Sequence, residues 1–154
     1  PMIPGYTLSA PIEVRWRDVD ALGHVNNAVY FTYLEIARTF YLDKVFRLPG
    51  SEEASTLVVS ARCDFVSQVT HGDPLEVGIR ISAAGNTSFD YEYEIRCTGD
   101  GRVVARGAST QVLYDPVGER KLPITEEWLD RIEAAEGRRP PRRRGSVAKT
   151  QEET

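Results

Sequence analysis

The sequence predicts an α+β fold in which one antiparallel sheet wraps around a single long central helix. One observation is an apolar run over residues 28–46 that contains neither proline nor glycine. A second is the alternation of apolar and polar residues over 75–82 and 89–97, which is typical of half-buried antiparallel strands. A third is the series of glycine-containing turns that separates the strands at the spacing of a meander. A chain of 154 residues, 41% of them hydrophobic, is long enough to bury one such core.

The first predicted element is a strand over residues 11–17, where apolar residues, including Trp16, alternate with charged ones. The Asn26-Asn27 pair follows and favours a helix start, because an asparagine side chain accepts hydrogen bonds from the free amides of a first turn. The helix itself is predicted over residues 28–46. Because it is apolar around most of its circumference, we expect other structure to cover it.

Four strands and a short helix complete the predicted order. The strands are expected over residues 56–66, 75–82, 89–97 and 102–114, and the helix over 124–135. Thr125 is the expected N-cap of this helix. A sheet that covers one helix leaves an edge strand open. We therefore expect a homodimer formed through the sheet, or a homotetramer of two such dimers.

Composition sets the predicted domain boundary. Residues 1–136 form a single predicted domain. Residues 137–154 form a predicted disordered basic and polar tail, because their arginine- and proline-rich sequence offers little apolar surface to bury. A solvated or variable tail is one interpretation, and a binding arm for nucleic acid or anionic lipid is the other.

Charge and composition exclude several function classes. The formal net charge of -4 argues against nucleic acid as the main partner. No stretch approaches about 20 apolar residues, so no membrane span is predicted. The first ten residues have no signal-peptide pattern, which predicts a cytoplasmic location. Cys63 and Cys97 lack metal-ligand spacing and are expected to be buried thiols, so neither a metal nor a cofactor is expected.

The chemistry-bearing residues lie just ahead of the predicted helix. Asp18, Asp20, Gly23 and His24 precede its start, which places acid and base groups beside the positive end of the helix dipole. Such an arrangement suits a reaction in which negative charge develops on a carbonyl oxygen. From the local sequence alone, either aspartate is equally well a cap or turn residue.

Residues 18–30, with residues 34–38 downstream, resemble the hotdog-fold acyl-CoA thioesterases of the 4-hydroxybenzoyl-CoA thioesterase family. The resemblance covers residues 12–129 and implies a hotdog fold, an acyl-CoA substrate and hydrolysis of its thioester to a free acid and CoA. It further implies that Asp20 is the general base or the nucleophile, and that the backbone amide of Asn27 binds the thioester carbonyl oxygen. It implies neither a metal nor a cofactor.

The same stretch also resembles the plant-type acyl-ACP thioesterases, whose pattern Asp20 and His24 match while Leu22 departs from it. Three alternatives to an acyl-CoA thioesterase therefore stay open. They are an acyl-ACP thioesterase, a non-catalytic acyl-CoA- or acyl-carrier-binding module, and a dehydratase of the same fold. His24 is either a helper that orients the thioester or the water, or a neutral residue satisfied by backbone groups.

Further candidates lie on the predicted central helix. Glu35 is an ionisable group on an apolar helix, so we expect it to pair with Arg38 or with a group across a subunit interface. A second branch of hotdog enzymes carries its catalytic glutamate at this place on the helix, which makes Glu35 the alternative to Asp20. Tyr30, Phe31 and Tyr33 are expected to line the acyl pocket. Candidates for binding the nucleotide phosphates are Arg62, Arg80, Arg96, Arg102 and Arg106.

Overall fold

The computed structural model describes residues 3–46 and 55–143 of the chain. Its strands are β1 (Leu8–Glu13), β2 (Ser55–Phe65), β3 (Pro74–Ala84), β4 (Ser88–Cys97), β5 (Val103–Asp115) and β6 (Arg120–Lys121). Its helices are α1 (Val29–Val45) and α2 (Glu126–Glu136), and a 3-10 turn spans Trp16–Asp18. The predicted order of strand, long helix, four strands and short helix is confirmed, with the two-residue β6 added.

The strands form one antiparallel sheet in the order β1-β3-β4-β5-β2, and β6 pairs with the end of β5. α1 packs across β1 and β3, and α2 packs against α1. Alternate residues of β3 and β4 face α1, because side chains of a strand point to opposite faces in turn. Buried residues of these two strands include Ile79, Ile81, Phe89, Tyr91, Tyr93 and Ile95. The predicted α+β architecture is therefore confirmed.

α1 buries one face rather than its whole circumference. Its buried residues recur every three or four positions, as packing of one helix face on a sheet requires; they are Tyr30, Tyr33, Leu34, Ala37, Tyr41 and Val45. On the other side of the helix, Phe31 is 39% exposed and Ile36 is 44% exposed. The cover expected around most of the helix is thus absent within the described residues. Neither described helix is long and apolar enough to cross a bilayer.

The first strand spans Leu8–Glu13, so its predicted position over 11–17 is wrong at both ends. The chain turns after Glu13, because the Arg15 amide donates to the Asp18 carboxylate (2.9 Å) and the Asp18 amide donates to the Arg15 carbonyl (3.0 Å). Trp16 is consequently 77% exposed instead of facing the core. Alternation alone does not predict this turn, because an aspartate side chain that bonds nearby amides competes with strand pairing.

β2 forms an edge of the sheet, with β5 as its neighbour among the described residues. Its side chains are exposed along nearly the whole strand. Leu57, Val58 and Val59 are 47%, 49% and 60% exposed. Unpaired edge strands offer backbone groups to another chain, and contiguous exposed apolar residues are typical of interaction surfaces.

Residues 137–143, predicted as the start of a disordered tail, lie on the body of the domain in the structure. Gly137 ends α2 in the left-handed conformation (φ 77°). Arg139 then pairs with three acidic residues of α2, which are Glu126, Asp130 (2.7 Å) and Glu133 (3.2 Å). Arg142 forms a parallel bridge with Ala84, at the end of β3. The remainder of the predicted tail lies outside the described residues.

Candidate active site

A tight turn holds Asp20 ahead of α1. The Asp20 amide donates to the His24 carbonyl (2.9 Å), and the Gly23 amide donates to the Asp20 carbonyl (3.0 Å). Gly23 has a φ of 84°, which an L side chain rarely adopts, so a glycine is required at this position. The Oδ1 atom of Asp20 accepts the Leu22 amide at 2.9 Å and the His24 amide at 3.4 Å. The turn therefore fixes the direction of the carboxylate.

The start of α1 leaves one backbone donor available. The Oδ1 atom of Asn26 accepts the Ala28 amide (2.9 Å), and the Asn26 carbonyl accepts the Val29 amide (3.0 Å). Asn26 thus accepts two amide hydrogens in the turn that leads into α1. In the part of the chain that the structure describes, the Asn27 N–H has no hydrogen-bond partner. Together with the helix dipole, this amide can bind a developing oxyanion.

Asp20 and Asn27 lie at the same cavity, of about 400 Å³. Two chain segments form its walls. The first is the turn and helix start, with Asp20, Leu22, His24, Val25, Asn26, Asn27 and Tyr30, and the second follows β2, with Phe65, Val66, Ser67 and Gln68. Sequence reasoning missed residues 65–68. Their place at the cavity depends on how β2 returns past α1, and no local pattern encodes that path.

His24 and Tyr30, the predicted helper and one of the predicted pocket residues, both line this cavity. His24 is half-buried, and its imidazole has no hydrogen-bond partner within the described ranges. Tyr30 is only 2% exposed, and its ring packs edge-on against Phe65, with 5.1 Å between the ring centroids. Phe31 is not among the residues that line the cavity, because its side chain projects from the exposed side of α1.

Tyr33, also expected to form a pocket wall, does not line this cavity. It is 1% exposed, and its hydroxyl donates to Oδ2 of Asp18 at 2.8 Å. Burial and the nearby Asp18 carboxylate both raise the pKa of Tyr33 above its ordinary value. Tyr33 therefore stays neutral and serves as a hydrogen-bond donor.

Asp18 is a buried structural residue, 1% exposed. Its Oδ1 accepts the Arg15 guanidinium at 2.9 Å, and its Oδ2 accepts the Arg15 amide at 2.9 Å. Burial acts to raise the pKa of the Asp18 carboxyl, but the hydrogen bonds from Arg15 and Tyr33 outweigh it and hold the pKa below its ordinary value. Asp18 is consequently an anion that is already fully engaged.

Glu35 lies at a different cleft, of about 350 Å³, between α1 and β2. It is eight residues beyond Asn27, which corresponds to about 12 Å along a helix. Arg38 also lines this cleft but donates to the Tyr93 hydroxyl (3.2 Å), so the expected Glu35–Arg38 ion pair is not formed. Within one chain, Glu35 and Asp20 therefore do not share a cavity.

The arginines proposed for the nucleotide phosphates are mostly engaged by acidic neighbours on the sheet. Glu92 accepts Arg80, Glu94 accepts both Arg96 and Arg106, and Asp73 and Asp100 accept Arg102. Arg62 is the most loosely held of the five, 3.6 Å from Asp64 and 73% exposed. Residues 3–46 and 55–143 contain no group of three or more His, Cys, Asp or Glu side chains that could hold a metal ion.

Comparison with known proteins identifies the family. The family model described as the thioesterase-like superfamily matches residues 14–132. YsmA of Bacillus subtilis (strain 168) is 32% identical over 82 residues, which is 53% of this chain and 56% of that protein. A 1,4-dihydroxy-2-naphthoyl-CoA hydrolase of Gloeothece citriformis is 28% identical over 141 residues, covering 82% of this chain and 94% of that enzyme.

Solved structures agree with this assignment. A thioesterase of Thermus thermophilus, solved in complex with coenzyme A and zinc, is 32% identical with a TM-score of 0.77. The match covers 88% of this chain and 98% of the Thermus protein. The chain therefore belongs to the thioesterase-like superfamily, and its sheet wrapped around α1 is the hotdog fold of that superfamily.

Proposed function

We propose that this protein hydrolyses acyl-CoA thioesters to a free acid and CoA, with Asp20 as general base or nucleophile. The observation that carries the proposal is the shared cavity of the Asp20 carboxylate and the Asn27 N–H, which has no partner among residues 3–46 and 55–143. A thioester carbonyl in that cavity has an acceptor of protons on one side and an oxyanion donor on the other. The activity of the Gloeothece relative and the coenzyme A bound by the Thermus relative support the same substrate class.

As a general base, Asp20 accepts a proton from a water molecule while the water oxygen attacks the carbonyl carbon. The carbonyl oxygen becomes an oxyanion, which accepts the Asn27 N–H at the positive end of α1. The intermediate then collapses, the C–S bond breaks, and the proton held by Asp20 passes to the departing sulfur. The products are the acid and CoA as its thiol. Little acid assistance is required, because a thiolate is a good leaving group.

As a nucleophile, Asp20 attacks the carbonyl carbon directly through its carboxylate oxygen. The C–S bond then breaks to give a mixed anhydride between Asp20 and the acyl group, and water hydrolyses this anhydride in a second step. Only Oδ1 accepts hydrogen bonds from the turn, which leaves Oδ2 available in either mechanism. His24, on the same cavity, is positioned to orient the water or the thioester.

We also propose that the assembled protein is a homodimer formed through β2, or a homotetramer of two such dimers. The exposed apolar side chains of β2 and its place at the sheet edge support this assembly. Because Phe65 ends β2 and residues 65–68 line the cavity, a second chain along β2 would lie near the proposed substrate site.

The test is release of free thiol from a panel of acyl-CoA and acyl-ACP substrates with aliphatic and aromatic acyl groups. We expect turnover of part of this panel by the wild-type protein. In Asp20→Asn, kcat should fall by about 10² to 10⁴, because positioned acid–base groups contribute rate factors of that size. The matched control is Asp43→Asn, which alters an exposed aspartate of α1 away from the cavity and should leave kcat within about twofold.

Binding is measured separately by calorimetry with a non-hydrolysable CoA thioether. If the wild-type protein binds the thioether but leaves every thioester intact, the protein is a binding module and the proposed reaction is wrong. If Asp20→Asn retains full turnover, Asp20 has neither proposed role, and Glu35→Gln becomes the decisive variant. Preference for acyl-ACP over acyl-CoA would move the substrate class to the carrier-bound esters.

A further inference from the structure

We infer that Asp18 and Tyr33 form a positioning pair that sets the Asp20 turn against the N-terminus of α1, an inference that rests on the proposed function. Neither residue lines the cavity. Their role would be to fix the distance between the carboxylate that activates the nucleophile and the amide that binds the oxyanion. The pair is therefore distinct from the groups that touch the substrate.

Asp18 contacts three separate parts of the site. Its carboxylate accepts the Tyr33 hydroxyl at 2.8 Å, and Tyr33 lies one turn inside α1. Its backbone carbonyl accepts the Asn26 amide at 3.0 Å, immediately before Asn27. Asp20 follows Asp18 by two residues in the sequence. A single buried residue thus connects α1, the backbone that carries the Asn27 amide, and the proposed base.

The surrounding backbone extends this connection. Val19 and Val25 form an antiparallel bridge across the base of the Asp20 turn. The amide of Asn26 donates to the Asp18 carbonyl, and the Asn26 side chain accepts the Ala28 amide just before α1 begins. A shift of Asp18 would therefore displace both sides of the site, although neither the carboxylate of Asp20 nor the amide of Asn27 binds Asp18 directly.

The chemistry of the pair suits a rigid contact. The Asp18 carboxylate is a buried anion, and a buried charge must be hydrogen-bonded. The Arg15 guanidinium donates hydrogen bonds to this carboxylate. Arg15 precedes the 3-10 turn, however, and does not connect Asp18 to α1. Among the described residues, the Tyr33 hydroxyl is the donor that joins the Asp18 side chain to α1. Misplacement by about 1 Å can cost about 10²-fold in rate, so this bond can matter for catalysis as well as for folding.

The test compares Tyr33→Phe with Tyr41→Phe. Both tyrosines lie on α1, are buried at 1% and 0% exposure, and donate to a carboxylate: Tyr33 to Asp18, and Tyr41 to Glu136. Tyr41 is eight residues further along, about 12 Å from Tyr33. Each substitution removes one buried hydroxyl from the same helix, so both variants should lose thermal stability to a similar extent. Only one removed hydroxyl belongs to the proposed positioning pair.

We expect Tyr33→Phe to lower kcat by about tenfold or more with KM within about twofold, and Tyr41→Phe to leave both within about twofold. We also expect the Asn26 and Ala28 amides to exchange hydrogen faster in Tyr33→Phe than in Tyr41→Phe. Equal kcat in the two variants, or unchanged exchange at both amides, overturns the inference. If the wild-type protein hydrolyses no thioester, the proposed function fails, and the exchange comparison alone still decides whether Tyr33 positions this turn.

Discussion

Asp18 and Asp20 are two residues apart and have opposite surroundings. The Asp18 carboxylate is buried, and each of its oxygens accepts at least one hydrogen bond. The Asp20 carboxylate is exposed at the cavity, and its hydrogen bonds all converge on Oδ1. A reacting carboxylate must have a lone pair that is not already engaged. The geometry therefore assigns the structural role to Asp18 and favours Asp20 for chemistry.

The lowered pKa of Asp18 makes a pH-dependent prediction for Asp18→Asn. Because the folded-state pKa lies below the unfolded value of about 3.9, ionised Asp18 stabilises the fold above that pH and loses this contribution as the pH falls through the folded-state pKa. We expect the variant to be about 1–3 kcal/mol less stable at pH 6. The difference should shrink below about pH 4.

Urea unfolding of both proteins between pH 6 and pH 3 measures this difference. Other carboxylates with lowered pKa values, Asp73 and Asp115 among them, make both proteins less stable in acid. The difference between the two curves isolates Asp18 from this common loss. A gap that stays constant over the whole pH range would contradict the assigned role of its charge.

The two aspartates also mark the limit of what the sequence predicts about the site. Local pattern indicates that an acidic turn precedes a helix, and either aspartate fits a cap. The resemblance to known thioesterases selects Asp20, and the position of Asn27 at the helix start follows from the asparagine pair. The involvement of Tyr33 with Asp18 could not be predicted, because it depends on which face of α1 turns toward the 3-10 turn.

At the scale of elements, α2 and residues 137–143 close one end of the sheet. Trp128 of α2 packs edge-on against Phe46, with ring centroids 4.8 Å apart, and Phe46 stacks on Phe89 of β4 at 5.2 Å. Arg142 continues this cover with hydrogen bonds to the carbonyls of Gly85 and Ile124, at 2.8 and 2.6 Å. This end of the molecule therefore combines aromatic packing with contacts from arginine to backbone.

Arg142→Ala tests the contribution of the residues that follow α2. Loss of two charge-assisted hydrogen bonds to partly buried carbonyls should lower the free energy of unfolding by about 1–3 kcal/mol. The control is Arg138→Ala, an exposed arginine of the same segment, which should change it by less than about 0.5 kcal/mol. Chemical denaturation measures the free energy of unfolding of the two variants. Equal values would show that the hydrogen bonds of Arg142 contribute nothing to stability.

The elements themselves were largely predictable. The helix α1 and strands β3, β4 and β5 lie within a few residues of their predicted bounds, because each has an apolar face with a clear period. The first strand differs from its predicted bounds because the Asp18 side chain accepts a hydrogen bond from the Arg15 amide, which turns the chain. The segment 137–143 differs because backbone hydrogen bonds with Ala84 and side-chain hydrogen bonds from Arg142 hold it against the domain. Hydrophobic patterns do not record such contacts.

At the scale of the whole molecule, β2 is the least covered part of the sheet. Its residues belong to an eleven-residue strand that is paired on one side within the described chain. The opposite edge, β1, contains six residues. A long edge with exposed valines favours association with a second copy, because pairing satisfies its backbone groups and covers apolar surface together.

Val59→Lys tests the proposed assembly. A lysine on an edge strand opposes edge-to-edge pairing, so we expect the wild-type protein to sediment as a dimer or tetramer and this variant as a monomer. The control, Val117→Lys, places the same charge on a valine that is 78% exposed in a turn outside β2, and it should sediment like the wild-type protein. Identical sedimentation of both variants would contradict assembly through β2.

The far wall of the cavity, residues 65–68, lies at the end of this same edge strand. That wall is supported by β5 on one side, while the other side borders whatever molecule lies along the edge. In the proposed dimer, a partner that moves by an ångström would change the breadth of the opening without altering any residue of this chain that lines it. Remodelling the contact between the two subunits would then be a second route to a new substrate preference, with the reacting groups unchanged.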